Sequence, residues 1–311
     1  MKLTNEIVLE VASKLGFDLV GFAEYDLLTC ETHKLKEWLN SGFHAGMTYM
    51  ERNFEKRNDV RLILPNAKSV LSLGMNYFTN NQHTPNSEGK ISRYAWGKDY
   101  HDIMWQKLDQ FILELQKIDP EFEAKSYVDT GPVMDKAWAV RAGLGWQGKH
   151  SNIINKKIGS WFFLATVITN YEFESSPHVP NFCGTCTACI DACPTQAIVQ
   201  DYVVDANRCI SYLTIENKGD IDPQFKNKFD NWVFGCDICQ DVCPWNKKFS
   251  NETNESAFQP FGGITSINLD EAAAMDENEF KNQWSGTPLM RTKLKGLRRN
   301  AKFLKAGESS Q

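Results

Sequence analysis

The sequence lacks any apolar run long enough to cross a bilayer. Its longest, WFFLATVI at 161–168, has eight residues, and a membrane helix needs roughly 20. The first stretch, MKLTNEIVLE, carries acidic residues where a secretory leader needs its apolar run, and no twin-arginine pair precedes one. Positive charge is not in excess either. There are 34 Lys and Arg against 39 Asp and Glu, a formal net charge of −5, so any binding to nucleic acid needs a local basic patch. Internal repeats and low-complexity segments are missing too. Together these absences predict a soluble, cytoplasmic protein with no membrane partner. What is present is ordinary in amount: 42% apolar residues, with nine Trp and nineteen Phe, enough for a sizeable core.

Cysteine is the exception. In a cytosolic chain, nine cysteines point to metal or catalysis rather than disulfides. Cys30 stands alone and reads as a simple thiol. The other eight fall between 183 and 243. The first motif is Cys183-x2-Cys186-x2-Cys189-x3-Cys193-Pro194. The second is Cys236-x2-Cys239-x3-Cys243-Pro244, and Cys209 lies between them. Cysteines three apart in a tight loop reach three corners of one cubane. In two-cluster ferredoxins the fourth, proline-followed cysteine ligates the other cluster. That rule assigns Cys183, Cys186, Cys189 and Cys243 to one [4Fe–4S] cluster. It assigns Cys193, Cys209, Cys236 and Cys239 to the other. Zinc also accepts four thiolates, but its motifs rarely interleave in this way.

Before the cysteines, helical and strand patterns alternate. Residues 5–16 and 100–119 read as amphipathic helices, the latter burying Met104, Leu108, Phe111, Leu115 and Ile118. Segments FDLVGFAE, 69–78 and SWFFLATVITN read as strands. KSYVDTGPVMDKAWAVRAGLG reads as a strand, a turn at Gly131-Pro132 and a helix stopping near Gly143. This is an α+β chain whose first part is an α/β sandwich. The polar, proline-containing stretch 175–182 marks a boundary. The expected units are therefore a catalytic domain over 1–174, a ferredoxin-like two-cluster domain over 175–249 and a helical extension over 250–311. SNETNES at 250–256 is expected to be exposed.

Four further stretches are specific: RYAWGKDYH (93–101), VDTGPVMDKAWAVRAGLGWQGKHSNII (128–154), CISYLTIE (209–216) and SGTPLMRTKLKGLRRNAKFL (285–304). With the cysteine pattern they resemble the epoxyqueuosine reductase family, in its short form. The resemblance runs from about residue 5 to 304. It implies a nitroreductase-like cobalamin-binding domain, two [4Fe–4S] clusters and a monomer fed by a low-potential electron donor. It also implies reduction of epoxyqueuosine to queuosine, the last step of queuosine biosynthesis, at the wobble position of tRNA. Asp129 of VDTGP matches the family's proton donor, a role that requires its carboxyl to hold a proton near neutral pH. His101 matches a residue placed to orient substrate or water. Arg52, Ser92, Asp129 and Ser211 match cofactor-contacting positions. Ser92 stands where some members have a cysteine near cobalt, which puts a sulfur contact in doubt. No DxHxxG motif offers a lower axial imidazole. Tyr94 and Trp96 are candidates to pack on the corrin or the base, and Lys149 and His150 to contact phosphate or a cofactor amide.

The overall acidity is answered by 291–305. Arg291, Lys293, Lys295, Arg298, Arg299, Lys302 and Lys305 stand there without an acidic residue, a basic helix suited to RNA phosphates. Two other readings stay open on the sequence: a corrinoid reductive dehalogenase, and an iron–sulfur electron carrier with no reaction of its own.

Overall fold

The computed structural model describes residues 2–84 and 88–308. Helix α1 (Asn5–Lys14) starts at Thr4, whose hydroxyl accepts from the Ile7 amide, and stops before Gly16, at φ +84°. Strand β1 (Leu19–Glu24), α2 (Thr29–Asn40) and the short α3 (Phe54–Asn58) follow. Strand β2 (Ser69–Asn76) is buried along its whole length. After β3 (Glu88–Ile91) comes α4 (Tyr100–Ile118), which buries Tyr100, Met104, Leu108, Phe111 and Leu115 on one face. Then come β4 (Ala124–Tyr127), α5 (Asp135–Arg141), the short pair β5 (Trp146–Gln147) and β6 (Ile153–Ile154), and β7 (Phe162–Thr169).

Strands β1, β2, β7 and β4 form one antiparallel sheet in the order β1-β2-β7-β4. Side chains alternate across it. Leu71, Leu73, Met75, Ala165 and Val167 pack on one face with Val8 and Ala12 of α1 and the buried face of α4. Val70 and Ile168 pack on the other with Trp138 and Ala139 of α5. This is the helix–sheet–helix sandwich that the alternating patterns predict.

The cysteine region supplies α6 (Ala188–Asp191), β8 (Ile198–Gln200), β9 (Val203–Val204), α7 (Ile210–Ile215), β10 (Trp232–Phe234), α8 (Ile238–Asp241) and α9 (Pro244–Phe249). The last part supplies β11 (Ser266–Asn268), α10 (Leu269–Ala274), α11 (Glu277–Trp284) and α12 (Lys293–Glu308).

Packing cuts across the chain order. Strand β3, from the first 174 residues, lies between β10 and β11 in a three-stranded sheet. Ile91, Ala95 and Trp96 share a core with Val233, Phe234 and the apolar faces of α10, α11 and α12. Divisions at 174 and 249 therefore describe sequence order, and a sheet spans both. The segment 250–256 is largely exposed, as expected, with 251, 252, 254 and 256 exposed and Thr253 buried. Its Thr253 amide donates to the Phe78 carbonyl (2.8 Å), and the Asn251 carbonyl accepts from Asn76 (2.7 Å). Its own backbone groups make both of these bonds, and they fasten it.

Candidate functional site

Strand β4 ends in the corner that holds Asp129. The buried Val128 anchors it, and Asp129 takes left-handed backbone (φ +56°), which Asp tolerates better than most residues. A Cβ at Gly131 would lie 2.1 Å from the Tyr127 ring, so a larger residue here would require that ring to move. The Asp129 side chain is 72% exposed. The Tyr100 hydroxyl donates to Asp129 Oδ2 (2.9 Å), and His101 Nε2 lies 4.0 Å from the same oxygen. Both residues open α4, whose cap, Asp99, accepts from the His101 amide (3.0 Å) and from its Nδ1 (2.8 Å). With Nδ1 so engaged, Nε2 is the nitrogen left facing Asp129; it is buried and has no hydrogen-bond partner among the described residues. Burial alone would raise Asp99; the hydrogen bonds from His101 outweigh it and hold the carboxyl below its ordinary value. Burial, then the charge of Asp129, pushes the Tyr100 hydroxyl far above its ordinary range, so it remains a donor.

Several polar groups gather around this corner, and the charge of Asp129 reaches Tyr49, Tyr94, Asp135, Lys136 and Arg291 as well as Tyr100. Burial pushes Tyr49 up to about 12, with help from Glu216. Glu216 also forms a two-pronged pair with Arg291 (2.6 and 3.1 Å). At the start of α5, burial lifts Asp135 to about 7, although the Thr166 hydroxyl donates to it at 2.5 Å. Burial lowers Lys136, which donates to Asn152 Oδ1 (2.9 Å) while Asp129, Cys239, Asp135 and Cys209 favour its charge. Asp129 and the thiols of Cys209 and Cys239 thus act electrostatically on Lys136, whose side chain is exposed.

All nine cysteines are free thiols, and eight fall into two neighbourhoods. Burial and then Cys183 push Cys189 up to about 11, with Cys243 and Cys186 adding to the effect. Cys243 is raised by burial and by Cys183 and Cys186. These four line one cavity of about 180 Å³. Cys209 is raised by burial and Cys193, Cys236 by burial, Cys239 and Cys209, and Cys239 by burial, Cys209, Cys189 and Cys193. Cys189 and Cys239 are where the two groups meet.

Buried thiols that disfavour one another's ionisation suit a site whose charge is completed by metal, since coordinated thiols are deprotonated. Backbone amides already point at the sulfurs. The Ala197 amide donates to Cys193 (3.2 Å), those of Tyr212 and Ser211 to Cys209, and those of Asn246 and Trp245 to Cys243. Among the described residues, no group of three or more His, Cys, Asp or Glu side chains is gathered as for a single metal ion. Eight thiols in two neighbourhoods, four of them lining one cavity, fit two four-thiolate clusters. The groups differ in exposure. Cys186 and its neighbours 184, 185 and 187 are exposed, whereas no cysteine of the second group is.

The remaining expected site residues are more scattered. Ser92 is buried and its hydroxyl donates to Asp237, which also accepts from the Arg93 amide (2.8 Å). Burial, reinforced by Asp241, lifts Asp237 to about 7. Ser211 lies in the first turn of α7, its amide on Cys209. Arg52 is exposed, and its carbonyl accepts from the buried Arg57 (3.4 Å). Tyr94 packs edge-on to Tyr100 (6.4 Å) near Asp129. Trp96, by contrast, is buried in the core with its indole N–H on the Ile91 carbonyl (2.7 Å). Lys149 pairs with Asp201 (3.0 Å), and His150 lines the cavity of the first thiol group.

Sequence reasoning missed Asp99, Asp135, Lys136 and Asp237. Asp237 had one available signal, a carboxylate enclosed between two ligand-type cysteines.

Of the seven cations in 291–305, four are engaged. Arg291 pairs with Glu216, Arg298 donates to the Ala274 carbonyl, Arg299 to those of Leu213, Asn217 and Gly219, and Lys305 pairs with Asp270. Lys293, Lys295 and Lys302 are exposed.

Two four-thiol groups, one of them open to solvent, together with the polar corner at Asp129, are the features of an iron–sulfur oxidoreductase. A family model described as a 4Fe-4S double cluster binding domain matches residues 182–246, and one described as Epoxyqueuosine reductase QueG, DUF1730 matches 57–130. Epoxyqueuosine reductases of Cellulophaga algicola and Cyclobacterium marinum are 44% and 46% identical. Those alignments cover 97% of this chain and 98% and 96% of the relatives. A crystal structure of epoxyqueuosine reductase with an epoxyqueuosine-modified tRNA-Tyr stem loop superposes with a TM-score of 0.91 at 35% identity, covering 97% of this chain and 80% of that one. The Bacillus subtilis enzyme gives 0.91 at 34%, covering 97% and 81%. The chain belongs to the epoxyqueuosine reductase family. No helix among its described residues is long and apolar enough to cross a membrane.

Proposed function

We propose that this chain reduces epoxyqueuosine to queuosine in tRNA at the cleft around Asp129. The observation that carries the reading is an exposed carboxylate, Asp129, held by the Tyr100 hydroxyl (2.9 Å) and faced by His101 Nε2 (4.0 Å). Removing an epoxide oxygen as water consumes two electrons and two protons. Cobalamin, the family's third cofactor, supplies a strongly reducing and nucleophilic cobalt centre when bound. The cleft suits it: Asp129, His101 Nε2 and the Arg291–Glu216 pair are polar groups set among the rings of Tyr49, Tyr94 and Tyr100.

The chain's own work is proton handling and positioning. Asp129 delivers a proton to the departing oxygen. Tyr100 fixes Oδ2 by its hydrogen bond. His101, held by Asp99, keeps Nε2 turned toward Asp129, where it can return a proton after turnover. Arg52, Ser92 and Ser211 contribute to cofactor contact, Ser211 through the turn that also holds Cys209 and Ser92 through the buried Asp237 link. Cys183, Cys186, Cys189 and Cys243 hold the outer cluster, and Cys193, Cys209, Cys236 and Cys239 the inner one.

The RNA contact falls to the exposed Lys293, Lys295 and Lys302, and the target base must leave its stack to reach the cleft. The enzyme works as a cytoplasmic monomer fed by a low-potential donor. Nucleoside mass spectrometry of a modified stem-loop, treated with enzyme loaded with iron and cobalamin and a low-potential reductant, should show epoxyqueuosine replaced by queuosine. Unchanged epoxyqueuosine would refute the reading.

A further inference from the structure

The outer thiol group carries a surface that the reaction does not use. Lys156 Nζ lies over the Phe182 ring (4.0 Å), Phe182 neighbours Trp245 (5.8 Å), Trp245 stacks on Phe249 (5.3 Å), and Lys248 Nζ lies near the Phe249 ring (5.1 Å). The strip is continuous and a lysine caps each end. Phe182 is 39% exposed, both lysines are exposed, and neither lysine is in an ion pair among the described residues. Phe182 and Trp245 are also walls of the cavity that holds Cys183, Cys186, Cys189 and Cys243, and the exposed loop 184–187 borders it. An aromatic strip at the mouth of a redox site, flanked by cations, matches the composition of a small protein–protein contact. Such contacts enrich aromatic residues at the centre and place charges at the rim.

We infer that this strip is where an acidic one-electron carrier protein docks to reduce the outer cluster. The occupant follows from charge. The chain carries a net −5, so an acidic carrier is repelled by the molecule as a whole and is drawn in only where cations stand unpaired. Steering of that kind acts mainly on the association rate and weakens with salt. Redox encounters of this type are small, below about 1,200 Å², a scale a short strip can serve. The inference rests on the reading that the outer four thiols hold a [4Fe–4S] cluster.

The test uses the full chain with reconstituted clusters and follows cluster bleaching by stopped flow, with no tRNA present. One donor is an acidic flavodoxin in its fully reduced form, and the other is photoreduced deazaflavin, which needs no docking surface. In the double variant Lys156→Glu/Lys248→Glu, bleaching by flavodoxin should slow at least tenfold at low salt. Its dependence on salt should also flatten, and bleaching by deazaflavin should match the parent. Lys156→Gln/Lys248→Gln should fall between. An unchanged flavodoxin rate would overturn the inference, and so would an equal loss with both donors, which would mean damage to the cluster. Failure of the parent protein to bind iron would instead refute the cluster reading beneath it, before any donor is added.

Discussion

The two thiol groups are made of the same residue type and solve different problems. The outer one is wound by a single loop, Cys183 to Cys189, and closed by Cys243. It opens to solvent at Cys186 and borders an aromatic strip. The inner one is collected from three separate places, Cys193, Cys209 and the Cys236–Cys239 loop, and none of its cysteines is exposed. Its loop is fastened to the segment 92–93 by Asp237. An outer site must be reached by a partner. An inner site must be held still against the group it serves. Exposure and local winding suit the first task, and long-range anchoring suits the second.

The largest expected effect lies at the inner end. Asp129→Asn removes the proposed proton donor but leaves both thiol groups untouched. Single-turnover conversion of the stem-loop should fall by about 10²- to 10⁴-fold, with iron content and cluster reduction unchanged. If conversion persists at the parent rate, Asp129 is not the donor.

Chelation sharpens the contrast directly. Under mild oxidation with a chelator, the outer cluster should lose iron several-fold faster than the inner one, read by electron paramagnetic resonance of the two signals. Equal rates would break the comparison.

Asp237→Ala removes the acceptor of a buried hydroxyl and a buried amide. Leaving such groups unpaired costs about 1–3 kcal/mol, measured as a lowered denaturation midpoint. Ser92→Ala should cost less, because Asp237 keeps the Arg93 amide. If the two variants cost the same, the carboxylate is not the fastening point.

The smallest effect is one of pH. Burial raises Asp135 from its ordinary value to about 7, so between roughly pH 4 and 7 the folded chain holds a proton that the unfolded chain has lost. Stability should therefore decline as pH rises through that window. Asp237 titrates with the same sign, so the informative comparison is parent against Asp135→Asn. The variant should lose less stability between pH 5 and pH 8 in cobalamin-free protein. A parallel decline in both would remove Asp135 from the account.

The sequence was most legible where spacing dictates geometry. The cysteine pattern alone divides eight thiols into two sets, and one of these sets, Cys183, Cys186, Cys189 and Cys243, lines a single cavity. Helix α4 was legible because Met104, Leu108, Phe111 and Leu115 keep a helical period over nearly its whole length. Contacts between distant segments were not legible. Nothing local marks β3 as the strand between β10 and β11, because its partners lie more than a hundred residues further on. The same holds for Asp237 and Ser92, 145 residues apart. Local pattern also misled in two places. Trp96 lies in a site-like motif but fills the core, and the basic run at 291–305 spends Arg291, Arg298, Arg299 and Lys305 on anchoring the chain.

The central claim is that electrons pass from the outer to the inner thiol group and on to the substrate at the corner where Asp129 supplies the proton. Its most direct test is rapid-freeze electron paramagnetic resonance of loaded, fully reduced enzyme mixed with excess epoxyqueuosine stem-loop, with queuosine counted in the same samples. The inner signal should be lost first, the outer should follow, and product should rise with them at one queuosine per two electrons withdrawn. Loss of the outer signal first, or queuosine formed while both clusters stay reduced, would contradict the account.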